Sequence, residues 1–207
     1  QPRWAEPYLN KIGQSNWQEY GLVAAGLFSS QEEIDAWPTQ AWGEVHPGDI
    51  KYLDLNGDGK VDTYDCKPIG YPNVPEITYG FGASVKWKGF DFSVFFQGTA
   101  NTSLVMSDPD PNARYPRLTT SPNPNNSQKS TFWMVNGRYM RLKNAEIGYS
   151  LPKQVVNKLR IDGLRIYVSG MNLLTFSDFK LWDPDLQTGA ANYPNNRVYN
   201  IGVSLIF

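Results

Sequence analysis

The sequence is poor in the residues that build disulfide-bonded, zinc and catalytic sites, with a single cysteine, Cys66, and a single histidine, His46. One cysteine excludes an internal disulfide framework, and no cysteine or histidine ligands occur at the spacing of a zinc site. Lysine and arginine number 19 against 20 aspartate and glutamate residues and form no basic cluster, which argues against nucleic acid as a partner. No run of about 18 apolar residues is present, so the sequence predicts no transmembrane helix.

Catalytic constellations are also scarce. His46 precedes a Pro-Gly pair in a loop, where a histidine is far more often a surface residue than a general base. The pairs Asp108/Asp110 and Asp183/Asp185 are each split by proline, a spacing more typical of turns than of acid-base pairs. We therefore predict that the protein is not an enzyme.

Aromatic residues are abundant, with 7 Trp, 12 Tyr and 10 Phe, and the chain ends in a strict two-residue alternation. In the final segment RVYNIGVSLIF, every second residue is apolar, namely Tyr199, Ile201, Val203, Leu205 and Phe207. This is the period of a strand with one apolar face and one polar face. Transmembrane barrels turn such an apolar face to lipid and the polar face to the lumen, and they place aromatic residues at the membrane interfaces.

Further strands are predicted upstream. The clearest hairpin is ITYGFGASVKWKGFDFSVFFQG, with a tight turn at Lys88-Gly89, although Phe95 interrupts its alternation. In GRYMRLKNAEIGYS the parity of the apolar residues changes, which predicts a bulge near Asn144. LRIYVSGMNLLTF is predicted as another strand, and EYGLVAAGLF is interpreted as one further strand.

The predicted connections are sharply unequal in length. Long stretches rich in Pro, Asn, Asp and Ser run from about Ser29 to Glu76, from Gly98 to Asn136 and from Ser177 to Asn196. By contrast, LPKQVVNKLRIDG predicts a compact turn, with one helical turn that tucks Val155, Val156 and Leu159 inward. Short turns on one side and long extracellular loops on the other are typical of outer-membrane barrels. Within the first loop, the capping box at Ser30 and Glu33 predicts a short helix.

The segment DLNGDGKVDTYD has the spacing of an EF-hand-like calcium loop, with Gly59 at its sharp turn. Its oxygen ligands would come from Asp54, Asn56, Asp58, the carbonyl of Lys60, Asp62 and Asp65. Calcium binds about six to eight oxygen ligands, and this loop offers that chemistry within one short stretch. The alternative is an ordinary polar turn without a metal. We predict a structural calcium ion that rigidifies the loop.

Several segments carry a resemblance to a known family, and they follow the order of that family. They are GLFSSQEEIDAW, GDIKYLDLNGDGKVD, YGFGASVKWKGFDFSVFFQG, YMRLKNAEIGYSLPK, LRIYVSGMNLLTF and NIGVSLIF, which run from about Gly26 to Phe207. Together they resemble the C-terminal part of SusC/RagA-type TonB-linked outer-membrane transporters. The terminal spacing of Asn200, Gly202, Leu205 and Phe207 also resembles the assembly signal of bacterial outer-membrane barrels.

The resemblance implies a fold, an activity and partners. Members of the family have a barrel of roughly 22 strands blocked by an N-terminal plug. They lie in the outer membrane of Gram-negative bacteria and import oligosaccharides or oligopeptides. A SusD-like surface lipoprotein acts as their lid, and the TonB complex supplies energy. We therefore expect an all-β fold, namely the C-terminal strands of a large antiparallel transmembrane β-barrel in contact with the lipid bilayer, with long extracellular loops.

The same resemblance sets the expected domain organisation and the expected substrate contacts. Residues 1–207 form one C-terminal barrel segment, and the plug, the TonB box and the earlier strands are absent, so we expect a piece of a longer protein. Aromatic residues in the predicted loops are candidates for substrate or partner contact, chiefly Tyr115, Trp133, Trp182 and Tyr193, with Trp37 and Trp42 besides. The alternative function is a secreted, calcium-stabilised β-sandwich that binds glycans. Its apolar faces would pack inward, and its loops would be of similar length at both ends.

Overall fold

The structure is a computed structural model of the 207-residue chain. It describes residues 6–106, 116–117, 119–120, 122–158, 160–186, 193 and 195–207. The chain forms two compact units. The loop unit comprises the described residues of Gln1–Pro75 and Asn101–Asn136, and the sheet unit comprises those of Glu76–Ala100, Gly137–Leu186 and Ala190–Phe207.

The described part of the chain is mostly strands. In chain order these are β1 (Tyr20–Gly21), β2 (Ala24–Leu27), β3 (Thr39–Gln40), β4 (Ile50–Tyr52), β5 (Lys60–Val61), β6 (Lys67–Pro68), β7 (Ile77–Trp87), β8 (Phe90–Ala100), β9 (Ser103–Val105), β10 (Met134–Asn136), β11 (Tyr139–Ser150), β12 (Gly163–Ser177) and β13 (Val198–Ile206). The helices are α1 (Gln31–Asp35) and α2 (Lys153–Lys158), and short 3-10 turns lie at Pro7–Leu9, Thr63–Asp65 and Thr131–Trp133. Among these described residues, no helix has the length and apolarity needed to cross a membrane.

The sheet unit is one antiparallel sheet of five strands, in the order β13-β12-β11-β8-β7. Each strand pairs with the long strand that precedes it in the chain, as the alternating sequence pattern predicts. The predicted turn at Lys88-Gly89 joins β7 to β8, with φ angles of 47° and 86°. Positive φ at both central residues is the geometry that suits a two-residue hairpin turn. Trp87 and Phe90 therefore pair directly across it.

The predicted bulge is present in β11. The register shifts between Leu142 and Asn144 against both neighbouring strands, β8 and β12. One extra residue reverses the side to which the following side chains point. The bulge explains the parity change in the sequence. Because of the extra residue, Leu142 and Ala145 lie on the same face of the sheet.

The connection between β11 and β12 is compact, as predicted, and contains α2. Val156 is fully buried, but Val155 is exposed, so the prediction that both side chains point inward is wrong. Neighbouring residues of a helix differ by about 100° in direction, and one short helical turn cannot bury both. Leu159 lies outside the described residues.

The loop unit consists of four small two-stranded sheets around a core of Leu22, Ile50, Tyr52 and Val61. The prediction of one strand over EYGLVAAGLF is wrong, because the segment forms the separate strands β1 and β2. Leu22 lies between them and is buried in the core, which interrupts the alternation that a single strand requires.

The predicted helix α1 follows Ser30, whose hydroxyl oxygen accepts a hydrogen bond from the Glu33 N–H. The Glu33 carboxylate in turn accepts one from the Ser29 N–H at 2.8 Å and pairs with Lys51 of β4. The hydrogen bond from Lys51, followed by those from Ser29, lowers the pKa of Glu33 to about 2. The helix is thereby tied to the two-stranded sheet beside it.

Candidate functional site: a two-faced sheet and its loops

The five-stranded sheet has one apolar face that is open to its surroundings. Paired residues of neighbouring strands lie on the same side of a sheet, so the register defines this face. Its exposed large apolar members are Ile77, Phe81, Val85, Trp87, Phe90, Phe92, Ile147, Ile166, Val168, Leu174, Phe176, Tyr199, Ile201, Val203 and Leu205. Ile201 is 81% exposed, although it lies in the middle of β13. A contiguous apolar area that spans five strands marks an interaction surface, and hydrocarbon lipid suits its chemistry.

The opposite face is polar, and a network of charged side chains crosses three of its strands. Arg165 of β12 donates to Asp91 of β8, with 3.0 Å between Nε and Oδ1, and to Glu146 of β11 at 2.5 Å. Gly148 makes room for this network, because an added Cβ would lie 2.5 Å from Nη2 of Arg165. One guanidinium group thus ties β8, β11 and β12 together on the polar face.

A second close approach on the polar face joins β12 to the terminal strand. The ring of Tyr167 lies against Gly202, so that an added Cβ would meet the tyrosine Cζ at 2.3 Å. The guanidinium carbon of Arg165 is 4.9 Å from the centre of the same ring. Of the terminal residues predicted as an assembly signal, Asn200 and Gly202 lie on the polar face. Leu205 and the terminal Phe207 are both exposed, and their role in assembly stays a prediction.

Phe95 explains the interruption that the sequence pattern shows in β8. It pairs with Gly82 of β7 and with Asn144 at the bulge of β11, which places it on the polar face. Its ring covers Gly80 and Gly82, where added Cβ atoms would lie 2.9 Å and 3.1 Å from ring carbons. The sequence shows only a broken alternation at Phe95, whereas the structure shows an exposed aromatic ring beside Gly80 and Gly82.

Arg141 is a charged residue that sequence reasoning missed. It lies on β11, only 2% of its side chain is exposed, and it forms an ion pair with Asp183. Nη1 also lies 3.7 Å from Oδ2 of Asp185. Asp183 does make the predicted turn, since its carbonyl accepts a hydrogen bond from the Leu186 N–H at 2.9 Å. A buried arginine at one end of the sheet thus anchors this turn, a contact over 42 residues that spacing alone does not reveal.

The aromatic residues predicted to contact a substrate or partner differ in accessibility. Trp133 packs at the core of the loop unit, and its indole N–H donates to the Asn126 carbonyl at 2.8 Å. Trp182 lies edge-on to Phe179 at 4.5 Å between ring centres. Tyr193 is 78% exposed. Tyr115 lies outside the described residues, so its predicted role stays open to experiment.

Trp37 and Trp42 are also held inside the loop unit. The indole N–H of Trp37 donates to the Tyr52 carbonyl at 2.8 Å. Trp42 meets the Tyr52 ring edge-on at 6.3 Å between ring centres. Both indoles therefore contribute to the packing around the core of this unit.

The predicted calcium loop is closed by its own side chains. Asp54 accepts hydrogen bonds from the N–H groups of Gly57 and Gly59, at 2.7 Å and 2.8 Å. Both glycines have positive φ angles, 76° and 86°, which a tight turn of this kind requires. Across the part of the chain that the structure describes, no three His, Cys, Asp or Glu side chains converge as a metal-binding group.

Other predicted ligand side chains of this loop also accept hydrogen bonds from its backbone N–H groups. Asp58 Oδ1 accepts from the Lys60 N–H at 2.8 Å, and Asn56 Oδ1 accepts from the Asp58 N–H at 3.0 Å. Asp65 is completely buried and accepts from Leu55 and Asp62, at 2.7 Å and 2.8 Å. The predicted ligand residues therefore lie along one curled loop.

Asp49 centres a buried polar network in the loop unit that sequence reasoning also missed. It accepts hydrogen bonds from Arg117, Asn123 and Asn126, at 2.9–3.3 Å, and from the His46 N–H at 2.9 Å. Burial raises the pKa of Asp49, but the hydrogen bonds from Arg117, His46 and Asn126 outweigh it and leave the pKa below its usual value. The network joins segments about 70 residues apart in the sequence.

The Pro-Asn-rich segment at residues 122–126 lies beside β4. It contains two of these donors, Asn123 and Asn126. The Asn125 amide donates to the Ile50 carbonyl at 2.9 Å, and the Asn126 side-chain oxygen accepts from the Ile50 N–H at 2.9 Å. Gln40 donates to Asn125 at 2.8 Å. These side chains satisfy backbone groups of β4 that have no strand neighbour on that side, and they thereby fix the shape of the loop unit.

Comparisons with known proteins identify the relatives of this fold. No protein-family model matches the chain. TonB-dependent receptor P3 of Formosa agariphila is 31% identical over 91% of this chain and 22% of its own length. TonB-dependent receptor P26 of the same organism is 29% identical over 95% of this chain and 23% of its own length. The chain thus spans about a fifth of the length of the curated relatives it matches.

Solved structures of the RagAB peptide importer share the fold. The chain in the "open-open" state matches with a TM-score of 0.67 and 22% identity, over 92% of this chain and 22% of the solved chain. The structure of the RagAB peptide transporter matches with the same TM-score and identity, over 92% of this chain and 23% of the solved one. The class of protein is therefore the TonB-dependent receptors. This chain is a segment of such a receptor.

These findings decide between the predicted alternatives. The predicted resemblance to TonB-linked transporters and the predicted all-β barrel-strand fold are confirmed. The relatives are receptors rather than enzymes, in agreement with the prediction. A β-sandwich would cover the apolar face of its sheet, whereas Ile201 and Val203 are exposed here. That alternative is not supported.

Proposed function

We propose that the chain forms part of an outer-membrane active transporter of a Gram-negative bacterium, which imports oligopeptides or oligosaccharides. The observation that carries this proposal is the antiparallel sheet with an exposed apolar face and a polar, charged opposite face. The relationship to TonB-dependent receptors supports energy supply through the TonB complex. The likeness to a peptide importer favours peptides among the two substrate classes.

The two faces of the sheet then have different tasks. The apolar face contacts hydrocarbon lipid, and the polar face lines the lumen through which substrate passes without chemical change. The Arg165 network and the Tyr167–Gly202 contact hold the strands in register at the lumen side. The loop unit carries two of the three predicted long connections, and we assign the long connections to the extracellular side. We further propose that a SusD-like surface lipoprotein docks on these loops.

Cysteine labelling tests this topology in the full-length protein on intact cells. The labelled position in the loop unit must be exposed. Asn126 does not meet this condition, because it is 6% exposed and donates a hydrogen bond to Asp49. Glu44 suits the experiment, since its side chain is 86% exposed in the loop unit. A cysteine at Glu44 should react with an impermeant maleimide, and a cysteine at Lys88, in the short turn, should react only after the membrane is opened. The reverse pattern would contradict the topology.

Uptake by the full-length transporter tests the function and the partner together. Growth on oligopeptides or oligosaccharides should depend on this protein and on TonB, because import against a gradient requires an energy source. Mild-detergent purification should recover a SusD-like lipoprotein with the barrel. The proposed partner would be contradicted if the barrel purified alone and uptake were unaffected by deletion of the lipoprotein gene. Uptake that persists without TonB would contradict active transport.

We also propose that the loop from Asp54 to Asp65 binds calcium at the cell surface. The support is the complete set of oxygen-bearing residues at calcium-loop spacing, curled by glycines at the required turn. Each carboxylate oxygen has two lone pairs, so it can accept an N–H and still contact a cation. Binding requires the Asp54 and Asp58 side chains to converge. A dissociation constant on the order of 10⁻⁴ to 10⁻³ M is typical of extracellular sites.

Replacement of Asp54 and Asp58 together by alanine should make the loop sensitive to protease and abolish its response to calcium, while the barrel stays folded. The reason is that both side chains are proposed calcium ligands and also accept backbone hydrogen bonds that close the loop, Asp54 from Gly57 and Gly59 and Asp58 from Lys60. Protease digestion with and without chelator measures the effect. Asp35→Ala, an exposed carboxylate of α1, is the matched control. Identical digestion of parent and variant, with no effect of chelator, would show that the segment is an ordinary polar turn.

A further inference from the structure

The polar face of the sheet unit contains a cleft of about 210 Å³ beside β11 and β12. The segment that follows β12 folds back over this face and covers one side of the cleft. The lining residues that carry the argument below are Arg141, Lys180, Trp182, Asp183 and Arg197. We call this feature the Arg141 cleft. All of its walls belong to the sheet unit.

Arg141 has more hydrogen-bonding capacity than its neighbours use. Its guanidinium group carries five N–H donors, and Asp183 accepts from Nη2. Nε and Nη1 are buried and have no hydrogen-bond partner among the residues that the structure describes. Asp185 approaches Nη1 only to 3.7 Å, beyond hydrogen-bond distance. Buried donors without an acceptor are costly, so these groups mark a place for an additional oxygen ligand.

Trp182 adds a second donor of the same kind. Its indole N–H is buried, and no acceptor for it occurs in the described part of the chain. An indole nitrogen can donate but cannot accept, so it selects for an oxygen acceptor. The ring is held by its edge-on contact with Phe179, which fixes the donor in place.

The charge balance of the cleft favours an anion. Lys180 and Arg197 line it, are exposed and form no ion pair with another described residue. With Arg141 they make three positive charges. Two carboxylates oppose them, that of Asp183 in the wall and that of Asp185 at 3.7 Å from Nη1 of Arg141, so one positive charge remains in excess.

We propose that the Arg141 cleft binds a carboxylate group of the imported substrate. The planar fork of a guanidinium group matches the two oxygens of a carboxylate, and the indole N–H of Trp182 supplies a further donor. A cleft of about 210 Å³ is smaller than a pocket for a whole drug-sized ligand, so it receives one charged end of a longer molecule. This inference rests on the proposed transport function and narrows its substrate class to oligomers that carry a carboxylate.

Two kinds of substrate carry such a group, namely oligopeptides, at the C-terminus or on an acidic side chain, and oligosaccharides that contain uronic acids. The cleft recognises the chemistry that they share. Calorimetric titration of the purified full-length transporter with its lipoprotein separates them. One arm compares a glutamate-containing tetrapeptide that has a free C-terminus with its glutamine counterpart that has an amidated C-terminus. The other arm compares a galacturonate oligomer with its methyl ester.

In at least one arm the acidic ligand should bind about tenfold more tightly than its neutral counterpart. Lys180→Gln and Arg197→Gln should each weaken acidic-ligand binding by up to about fivefold, the range for exposed charge pairs. Trp182→Phe removes the N–H donor while it keeps an aromatic ring, and it should weaken acidic-ligand binding by about tenfold, since the acceptor is charged. Affinity for the neutral ligand should stay unchanged. Lys158→Gln, an exposed change of the same charge in α2, is the control.

The arm that shows the preference identifies the substrate source. Equal affinity for acidic and neutral ligands, or no binding of any of the four, overturns the assignment of the cleft. Equal weakening by Lys158→Gln overturns it as well, because the effect would then come from net charge alone. These outcomes leave the transport proposal standing, which fails only if uptake does not depend on the protein and on TonB.

Discussion

Replacement of Val168 by arginine is expected to prevent stable insertion of the barrel, whereas the same replacement at Ser169 is expected to be tolerated. Val168 lies on the apolar face near the middle of β12, and Ser169 lies on the polar face. A charged residue on the lipid face of a barrel costs about 2–4 kcal/mol at the bilayer midplane. An arginine at the adjacent polar-face position remains in the aqueous lumen.

The two variants form a matched pair, since they differ by one position in the same strand. The folded fraction in outer-membrane preparations, measured by resistance to unfolding in cold detergent, should fall for Val168→Arg and stay near that of the parent for Ser169→Arg. If both variants fold equally well, the proposed assignment of the two faces to lipid and lumen is wrong.

Replacement of Asp49 by alanine is expected to lower the local stability of the loop unit. Asp49 is completely buried and is the common acceptor for Arg117, Asn123 and Asn126. Without it the two asparagine amides lose their acceptor inside the protein, while the partly exposed Arg117 regains water. We expect a loss of about 3 kcal/mol in the local stability of this unit.

Limited proteolysis of the full-length protein on intact cells measures this effect. Cleavage in the loop unit should accelerate for Asp49→Ala and not for Asp35→Ala, which removes an exposed carboxylate. Because the folded pKa of Asp49 is lowered, its contribution is present at neutral pH and is lost as the pH falls below about 4. In the parent protein, resistance should therefore fall in acid. Unchanged cleavage of Asp49→Ala at neutral pH would show that the network does not support the loops.

The sequence predicts the sheet unit much better than the loop unit, for a physical reason. In the sheet, each side chain is specified by a two-residue period and by its nearest strand neighbours, so the Lys88-Gly89 turn and the bulge near Asn144 can be inferred from local pattern. Even Phe95, which breaks the pattern, leaves a visible trace there.

In the loop unit, by contrast, the decisive contacts join residues far apart in the chain. Asp49 and Asn126 are separated by 77 residues, and no periodicity connects them. Leu22 is buried by the fold of the entire unit, which divides a segment whose composition favours one strand. Arg141 in the sheet unit shows the same limit, because its partner Asp183 lies in a loop whose position no local rule specifies. The candidate anion site was therefore not predictable, whereas the two faces of the sheet were.

The contact between Tyr167 and Gly202 also bears on how the last strand finds its place. A shift of β13 by one residue would turn its apolar side chains to the polar face. A shift by two would keep the faces correct but place Asn200 or Ser204 beneath the tyrosine ring, where even a Cβ has no room. Tyr167 thus disfavours a two-residue shift, which the hydrophobic pattern alone would allow. Gly202 is therefore the position that specifies the register of the last strand.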